Sequence, residues 1–195
     1  MPEAPFEQTE HGRFPAGPGW FVLKLQEARW WKRGLGLEAG LSGRGDFWQL
    51  GVSVQVLAPG EPMAMYHWET DQEGFLVLFG TPLLIIEGEE RQLRRWDFVH
   101  CPPGTKHVIV GAGDGNSVIF AVGARERHTF RSDAGELEGR DDWGAYTVDE
   151  AAIRHGAGVE EETRDAKVAY ARVVEQLRSP EPLRYPDGLL PGFDR

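Results

Sequence analysis

The fold can be predicted first from residues 67–80, HWETDQEGFLVLFG. His67 and Glu69 stand two residues apart, and on a β-strand this spacing places both side chains on one face. Glu73 follows a predicted bend and opens the apolar run GFLVLF, which is typical of a buried strand. The stretch therefore predicts two strands that carry polar side chains at the point where the first ends and the second begins.

A second segment, WDFVHCPPGTKH, runs from Trp96 to His107. Its Pro-Pro-Gly sequence predicts a tight turn, after which His107 opens another strand. Neighbouring strands lie about 4.8 Å apart, and side chains that face the inside of a barrel converge on its axis. We therefore expect His67, Glu73 and His107 to meet, as two imidazoles and one carboxylate around a divalent metal ion with open coordination positions.

Short strand signals recur around these segments, at a spacing of about one strand per 8–12 residues, which is typical of an all-β sandwich or barrel. Asp114-Gly115 is a hairpin signal between two Val-rich runs. The other strand candidates are Phe47–Leu57, Met63–Trp68, Phe75–Phe79, Pro82–Ile86, Arg91–Arg95, Val108–Val110 and Val118–Val122.

The two segments resemble the two sequence motifs of the cupin superfamily. The first motif of that family runs Gly, five residues, His-x-His, three or four residues, Glu, six residues, Gly. Here His67 matches the first histidine, Glu73 the glutamate and Gly80 the final glycine. Six residues, not five, separate Gly60 from His67, and Glu69 replaces the second histidine.

The second motif of the family runs Gly, five residues, Pro-x-Gly, two residues, His, three residues, Asn. In this chain Pro102, Gly104 and His107 match that motif. Trp96 and Gly111 replace the family's first glycine and its asparagine. The paired motifs are more specific for the fold than for a reaction.

The resemblance covers about residues 46–124 and implies an all-β chain with a double-stranded β-helix, or jelly-roll, barrel. We expect an N-terminal arm and edge strand over residues 1–45, the cupin barrel over 46–125, and a C-terminal extension with helices and a tail over 126–195. The resemblance also implies a homodimer and a small-molecule ligand or substrate.

The resemblance implies one divalent metal ion, either Fe, Mn, Zn or Ni, held by His67, Glu73 and His107. Glu69 leaves three alternatives open. It is a fourth metal ligand, which favours harder ions; or it is a catalytic acid–base group whose pKa the metal sets; or it marks a weakened site.

Three functions follow as expectations. The leading hypothesis is a metal-binding cupin that acts on a small molecule as a dioxygenase or an isomerase. The alternatives are a non-catalytic cupin that binds a small molecule as a sensor or storage-like module, and a sugar-binding or sugar-nucleotide epimerase-like cupin. Fold alone does not choose among them.

The amino-acid composition argues against two classes of partner, nucleic acids and membranes. The formal charge of −10 argues against a broad nucleic-acid footprint, which needs clustered Lys and Arg. A single cysteine, Cys101, fits a reducing compartment, and residues 1–14 lack the apolar core of a signal peptide. No apolar run approaches the roughly 20 residues that cross a bilayer. We expect a cytoplasmic protein without membrane partners.

Two residues beside the second motif are interpreted as lying outside the site. Cys101 is expected to be a small buried hydrophobe. His100, its neighbour on the same strand, is expected to point to the opposite face.

The C-terminal region predicts helices. Thr147 and Glu150 have the form of a capping box, which predicts a short helix that ends at Gly156. An apolar stripe from Val159 to Leu177 predicts a longer helix. The Pro- and Gly-rich tail over residues 179–195 is expected to wrap over another surface.

Overall fold

The computed structural model of the chain describes residues 1–32, 35–41, 49–125, 130–131, 137–138, 143–173 and 181–185. Strands predominate in these ranges, and the two α-helices described there are short. The expected all-β class is therefore confirmed. Among the described residues, no helix is both long enough and apolar enough to span a bilayer.

The strands are numbered in chain order. They are β1 (Phe6–Thr9), β2 (Gly12–Pro15), β3 (Trp30–Lys32), β4 (Leu37–Gly40), β5 (Leu50–Leu57), β6 (His67–Glu69), β7 (Glu73–Phe79), β8 (Leu83–Ile86), β9 (Glu89–Gln92), β10 (Phe98–Cys101), β11 (His107–Val110), β12 (Ser117–Ala124), β13 (Phe130–Arg131), β14 (Leu137–Glu138), β15 (Gly144–Tyr146) and β16 (Glu181–Leu183). The helices are α1 (Glu150–Arg154) and α2 (Ala166–Ala169), with 3₁₀ segments at Leu25–Glu27 and Ala171–Val173.

Two antiparallel sheets form the barrel. The larger sheet has the strand order β10-β7-β12-β5-β4-β3-β16, and the smaller has the order β15-β6-β11-β8-β9. The longest ladder joins β5 to β12 through eight residue pairs, from Leu57↔Ser117 to Leu50↔Ala124. This arrangement confirms the double-stranded β-helix expected from the sequence.

The core lies between the two sheets and is built from alternate residues of the strands. Val77 and Ile119 come from the larger sheet and are fully buried, and they pack in one cluster with Leu84 and Ile109 of the smaller sheet. Burying a side chain of this size stabilises the fold by about 2 kcal/mol. Because alternate residues face the core, β7 buries apolar side chains in its middle. Both β6 and β7 begin with a polar residue.

The hairpin signal at Asp114-Gly115 predicted a turn between two strands that pair with each other. The strands that this segment joins, β11 and β12, do not pair with each other. Strand β11 pairs with β6 and β8, whereas β12 pairs with β5 and β7. Both edges of β11 are therefore occupied, and the turn carries the chain from the smaller sheet to the larger. At the start of this turn Gly111 passes so close to the Ala58 carbonyl that a Cβ would clash with it.

Helix α1 begins two residues later than the capping-box prediction. Asp149 is the N-cap, and its carboxylate accepts a hydrogen bond of 2.8 Å from the backbone N–H of Ala152. Thr147 instead continues the line of β15, because its N–H donates to the Tyr66 carbonyl at 3.1 Å. The end of the helix agrees with the prediction, since Gly156 has a φ of 71° just after the His155 C-cap.

The longer helix predicted from Val159 to Leu177 is wrong over its first half. Thr163 and Tyr146 exchange two backbone hydrogen bonds of 2.9 and 3.1 Å, and this pairing is incompatible with a helix at Thr163. Helix α2 is limited to Ala166–Ala169. Residues 174–180, with the end of the predicted helix, and residues 186–195 of the predicted tail lie outside the described residues.

Both flanking regions contribute strands to the sheets. From the N-terminal side, β4 pairs with β5 over four residues. From the C-terminal side, β15 pairs with β6 in the register Gly144↔Glu69, Ala145↔Trp68 and Tyr146↔His67. The C-terminal extension therefore forms one edge of the smaller sheet, next to the strand that carries His67.

We predict that Gly144→Ala destabilises the fold by about 1–3 kcal/mol. Gly144 has a φ of 150°, and a Cβ there would clash with the Trp68 carbonyl oxygen across the β15–β6 pair. Urea unfolding checks the free energy. Gly115→Ala is the matched control, because a Cβ at Gly115 meets nothing within 4 Å. Equal stability of the two variants would contradict the prediction.

Candidate metal centre

Three strands each contribute their first residue to one cluster. His67 opens β6, Glu73 opens β7 and His107 opens β11. One nitrogen or oxygen atom from each side chain lies within 4.8 Å of those of the other two. The Oε2 atom of Glu73 lies 3.2 Å from Nε2 of His107 and 3.9 Å from Nε2 of His67. The structure thus brings together the three residues that the motif spacing singled out, and metal ligation by them stays a prediction.

Backbone carbonyls orient both imidazole rings. Nδ1 of His67 lies 2.7 Å from the carbonyl oxygen of Met65, and Nδ1 of His107 lies 3.0 Å from that of Thr105. A carbonyl oxygen only accepts hydrogen bonds, so each Nδ1 carries the proton. In the neutral rings the lone pair is therefore on Nε2, which faces the cluster, and this is the tautomer that binds a metal.

The burial of His67, Glu73 and His107 indicates whether a cation would be stabilised between them. His107 is only 2% exposed and His67 8%. Glu73 Oε2 and His107 Nε2 are both buried, and apart from each other, at 3.2 Å, they have no hydrogen-bond partner. Leaving such a group unsatisfied costs about 1–3 kcal/mol, and more when it is charged. A divalent cation would give both atoms a partner, so the residues present fit a metal ion.

The protonation of His107 follows from its surroundings. Burial disfavours the charged ring and lowers the pKa of His107, but contacts with the Cys101 thiol and the Glu73 carboxylate outweigh burial and raise that pKa to about 10. Without a metal, the His107 ring is therefore protonated at neutral pH and faces the Glu73 carboxylate. A metal ion that binds at Nε2 must displace this proton.

Glu69 lies beside the cluster. Its Oε1 atom is 3.6 Å from Nε2 of His67, as expected for two residues on one face of β6, but Glu69 is not part of the three-residue group. Burial, mainly, and the charge of Glu69 raise the pKa of both Tyr146 and Tyr170. The predicted roles of Glu69 as a ligand and as a catalytic group both stay predictions.

Cys101 is buried and His100 lies on the opposite face of β10, as expected. The Cys101 side chain is buried in the barrel core, where it also contacts His107. His100 is exposed on the other face of β10. His100 is therefore available as a surface control for experiments on the cluster.

A cavity of about 360 Å³ opens over the cluster. One wall consists of Trp143, Tyr146 and Tyr170, which the sequence-based reasoning did not identify as pocket residues. The rings of Trp143 and Tyr146 are 5.1 Å apart, those of Tyr146 and Tyr170 are 5.4 Å apart, and Tyr146 lies 6.0 Å from the ring of His67. The β15–β6 pairing brings Trp143 and Tyr146 to the site, and Tyr170 packs against Tyr146 from the end of α2. These long-range contacts leave no local signal in the sequence.

The side chains of the residues that precede β6 point in different directions. Met63 lines the cavity, whereas Met65, which shares its parity in the sequence, is fully buried against Tyr146. Tyr66 packs on the outer side of the smaller sheet with Ala152. Met63 and Met65 do not share a side-chain direction, although they stand two residues apart, because β6 begins only at His67 and the residues before it do not form a strand.

Comparison with known proteins agrees with this architecture. The family model of the cupin domain matches residues 53–123. No curated protein matches the chain. A sugar phosphate isomerase of the cupin superfamily from Silicibacter pomeroyi superposes with a TM-score of 0.50 at 19% identity, over 62% of this chain and 93% of that protein.

Two further solved structures have lower TM-scores. A proposed sugar phosphate isomerase from Acidithiobacillus ferrooxidans has a TM-score of 0.42 at 22% identity, over 47% of this chain and 62% of that protein, less than two thirds of its length. A predicted oxalate decarboxylase from Thermotoga maritima has a TM-score of 0.49 at 17% identity, over 53% of this chain and 98% of that protein. The family match thus identifies residues 53–123 as a cupin domain, and the strand order of the barrel agrees with that match.

Proposed function

We propose that this protein binds one divalent metal ion through His67, Glu73 and His107 and uses it as an enzyme on a small molecule. The observation that supports the proposal most directly is the pair of buried atoms, Glu73 Oε2 and His107 Nε2, which face each other at 3.2 Å and have no hydrogen-bond partner outside the cluster. Both imidazoles also present Nε2 to the same point. Two imidazoles and one carboxylate suit Fe, Mn, Zn or Ni.

The bound ion supplies Lewis acidity at the coordination positions that three protein ligands leave open. The protein supplies the rest of the chemistry. Its cavity of about 360 Å³ has room for a small molecule, and the aromatic wall excludes water from one side of it. A substrate oxygen directed at the open positions suits both of the reaction classes expected from the sequence, oxygenation and isomerisation.

We assign the proton-transfer step to Glu69. Its carboxylate lies next to His67 but outside the three-residue group, so it is placed to act on a molecule bound at the cluster. A neighbouring metal ion lowers the pKa of a carboxyl group and keeps it ionised, which suits a general base. Tyr146 borders the same cavity and can donate a hydrogen bond to the substrate.

His107→Ala is expected to abolish metal binding. The wild-type protein, purified without chelators, should carry about one ion per chain, because the cluster offers one set of converging ligands. Elemental analysis by mass spectrometry measures the content. His100→Ala, on the exposed face of β10, should keep its ion. If His107→Ala retained its metal, the proposed site would be wrong.

Metal affinity should rise with pH. The pKa of about 10 means that His107 holds a proton throughout the neutral range, so the proton competes with the metal. Between pH 6.5 and 8.5 the association constant for Zn²⁺ should increase about tenfold per pH unit, with release of about one proton per ion. Calorimetric titration in buffers of different ionisation enthalpy measures both quantities. An affinity independent of pH would contradict the assignment of His107.

Two isosteric variants separate the roles of the carboxylates. Glu73→Gln should weaken Zn²⁺ binding by at least about tenfold, because it removes a negative ligand. Glu69→Gln should leave the affinity within about threefold and lower turnover by about 10²-fold or more. Turnover is sought by oxygen uptake and product analysis with keto acids, phenols and thiols.

The outcomes of this experiment discriminate among the alternatives. A loss of metal affinity in Glu69→Gln as large as in Glu73→Gln would make Glu69 a fourth ligand and contradict its assigned catalytic role. Tight binding of a small molecule without any turnover by the metal-loaded wild-type protein would favour the non-catalytic sensor.

A further inference from the structure

We infer that the molecule bound at the metal centre is elongated, with an oxygen-bearing head at the ion and an uncharged, largely apolar tail that leads out between the β4–β5 pair and helix α2. This inference rests on the proposed function, since the head is placed by the metal. It adds a second binding region and a chemical class for the ligand.

The tail region is a second cavity of about 280 Å³ beside the first. Four residues, Glu38, Gln55, Met63 and Tyr170, line both cavities. The two cavities therefore adjoin at these four residues, and a molecule that passes between their side chains occupies both.

The boundary between the cavities has one fixed side and one adaptable side. The hydroxyl oxygen of Tyr170 accepts a hydrogen bond of 3.3 Å from the backbone N–H of Met65, and its ring packs edge-on against Tyr146. These contacts hold the tyrosine in place. Met63 is half-buried, and its unbranched side chain adapts to irregular spaces. Rotation of Met63 can open the passage without a change in the backbone.

The chemistry of the second cavity favours an apolar tail. Leu35 and Met63 provide apolar surface, and Ala166, the first residue of α2, lies exposed at its outer end. Glu38 is the one charged residue among the described residues that line this cavity. Of the described residues that line this cavity, none is basic, so an anionic tail finds no cationic partner among them, and Ala166 contributes only a methyl group.

Alkyl hydroxamates test the inference on the full-length, zinc-loaded protein. Their two oxygens bind the ion, and the alkyl chain can be lengthened from acetohydroxamate to octanohydroxamate. Each CH₂ that enters an apolar cavity should strengthen binding about threefold. We expect octanohydroxamate to bind at least about 30-fold more tightly than acetohydroxamate, as measured by calorimetry.

Two matched substitutions locate the tail. Ala166→Phe fills the outer end of the second cavity, so it should reduce the 30-fold gain to about threefold or less while it leaves acetohydroxamate binding unchanged. Ala171→Phe is the control, since Ala171 is exposed on the next segment and lines neither cavity. It should keep the full gain.

The possible failures are distinguishable. If zinc or acetohydroxamate did not bind, the proposed function itself would be wrong, and this inference with it. If acetohydroxamate bound but chain length gave no gain, or if Ala166→Phe kept the same gain as Ala171→Phe, the metal site would stand and the tail region would be wrong. Melting temperatures of the two variants show whether either has lost its fold.

Discussion

Strand β6 is hydrogen-bonded on both edges, and the candidate site depends on this constraint. On one side His67 pairs with His107 of β11, and on the other side three residues pair with β15. The backbone before β6 is held as well, because the Tyr66 N–H donates to the Ala157 carbonyl at 2.7 Å. The carbonyl of Met65 can therefore fix the ring of His67, and a buried histidine with a fixed ring keeps its Nε2 on the other two members of the cluster.

The cluster also joins the two sheets electrostatically. Glu73 belongs to the larger sheet and both histidines belong to the smaller sheet. The carboxylate and the two imidazoles therefore come together only when the two sheets pack against each other. In the absence of a metal, the proton on His107 offsets the charge of Glu73. The fold thus tolerates the buried carboxylate oxygen of Glu73 and the buried ring nitrogen of His107 because a cation, either a proton or a metal ion, can lie between them.

Local patterns predicted an all-β chain and the meeting of the three clustered residues, and the resemblance to the two cupin motifs implied the jelly-roll barrel. Two-residue spacing placed His67 and Glu69 on one face, and the turn at residues 102–104 placed His107 at the start of a strand, because these relations depend on a few neighbouring residues. The aromatic wall could not be predicted in this way. Tyr146 faces the site through its pairing with His67, far away in sequence. The same pairing explains the errors in the helical region, since it holds residues 147 and 163 in extended backbone.

The late position of β15 in the chain has a consequence for biosynthesis. All three clustered residues and the strands that carry them leave the ribosome before Gly144, so β6 has one open edge until β15 follows. At about 5–20 residues per second this interval lasts for seconds. An exposed edge of this kind can pair with another chain. A nascent chain stalled in this interval would therefore have the three clustered residues without Tyr146 of the cavity wall, and it would also expose an unpaired strand edge.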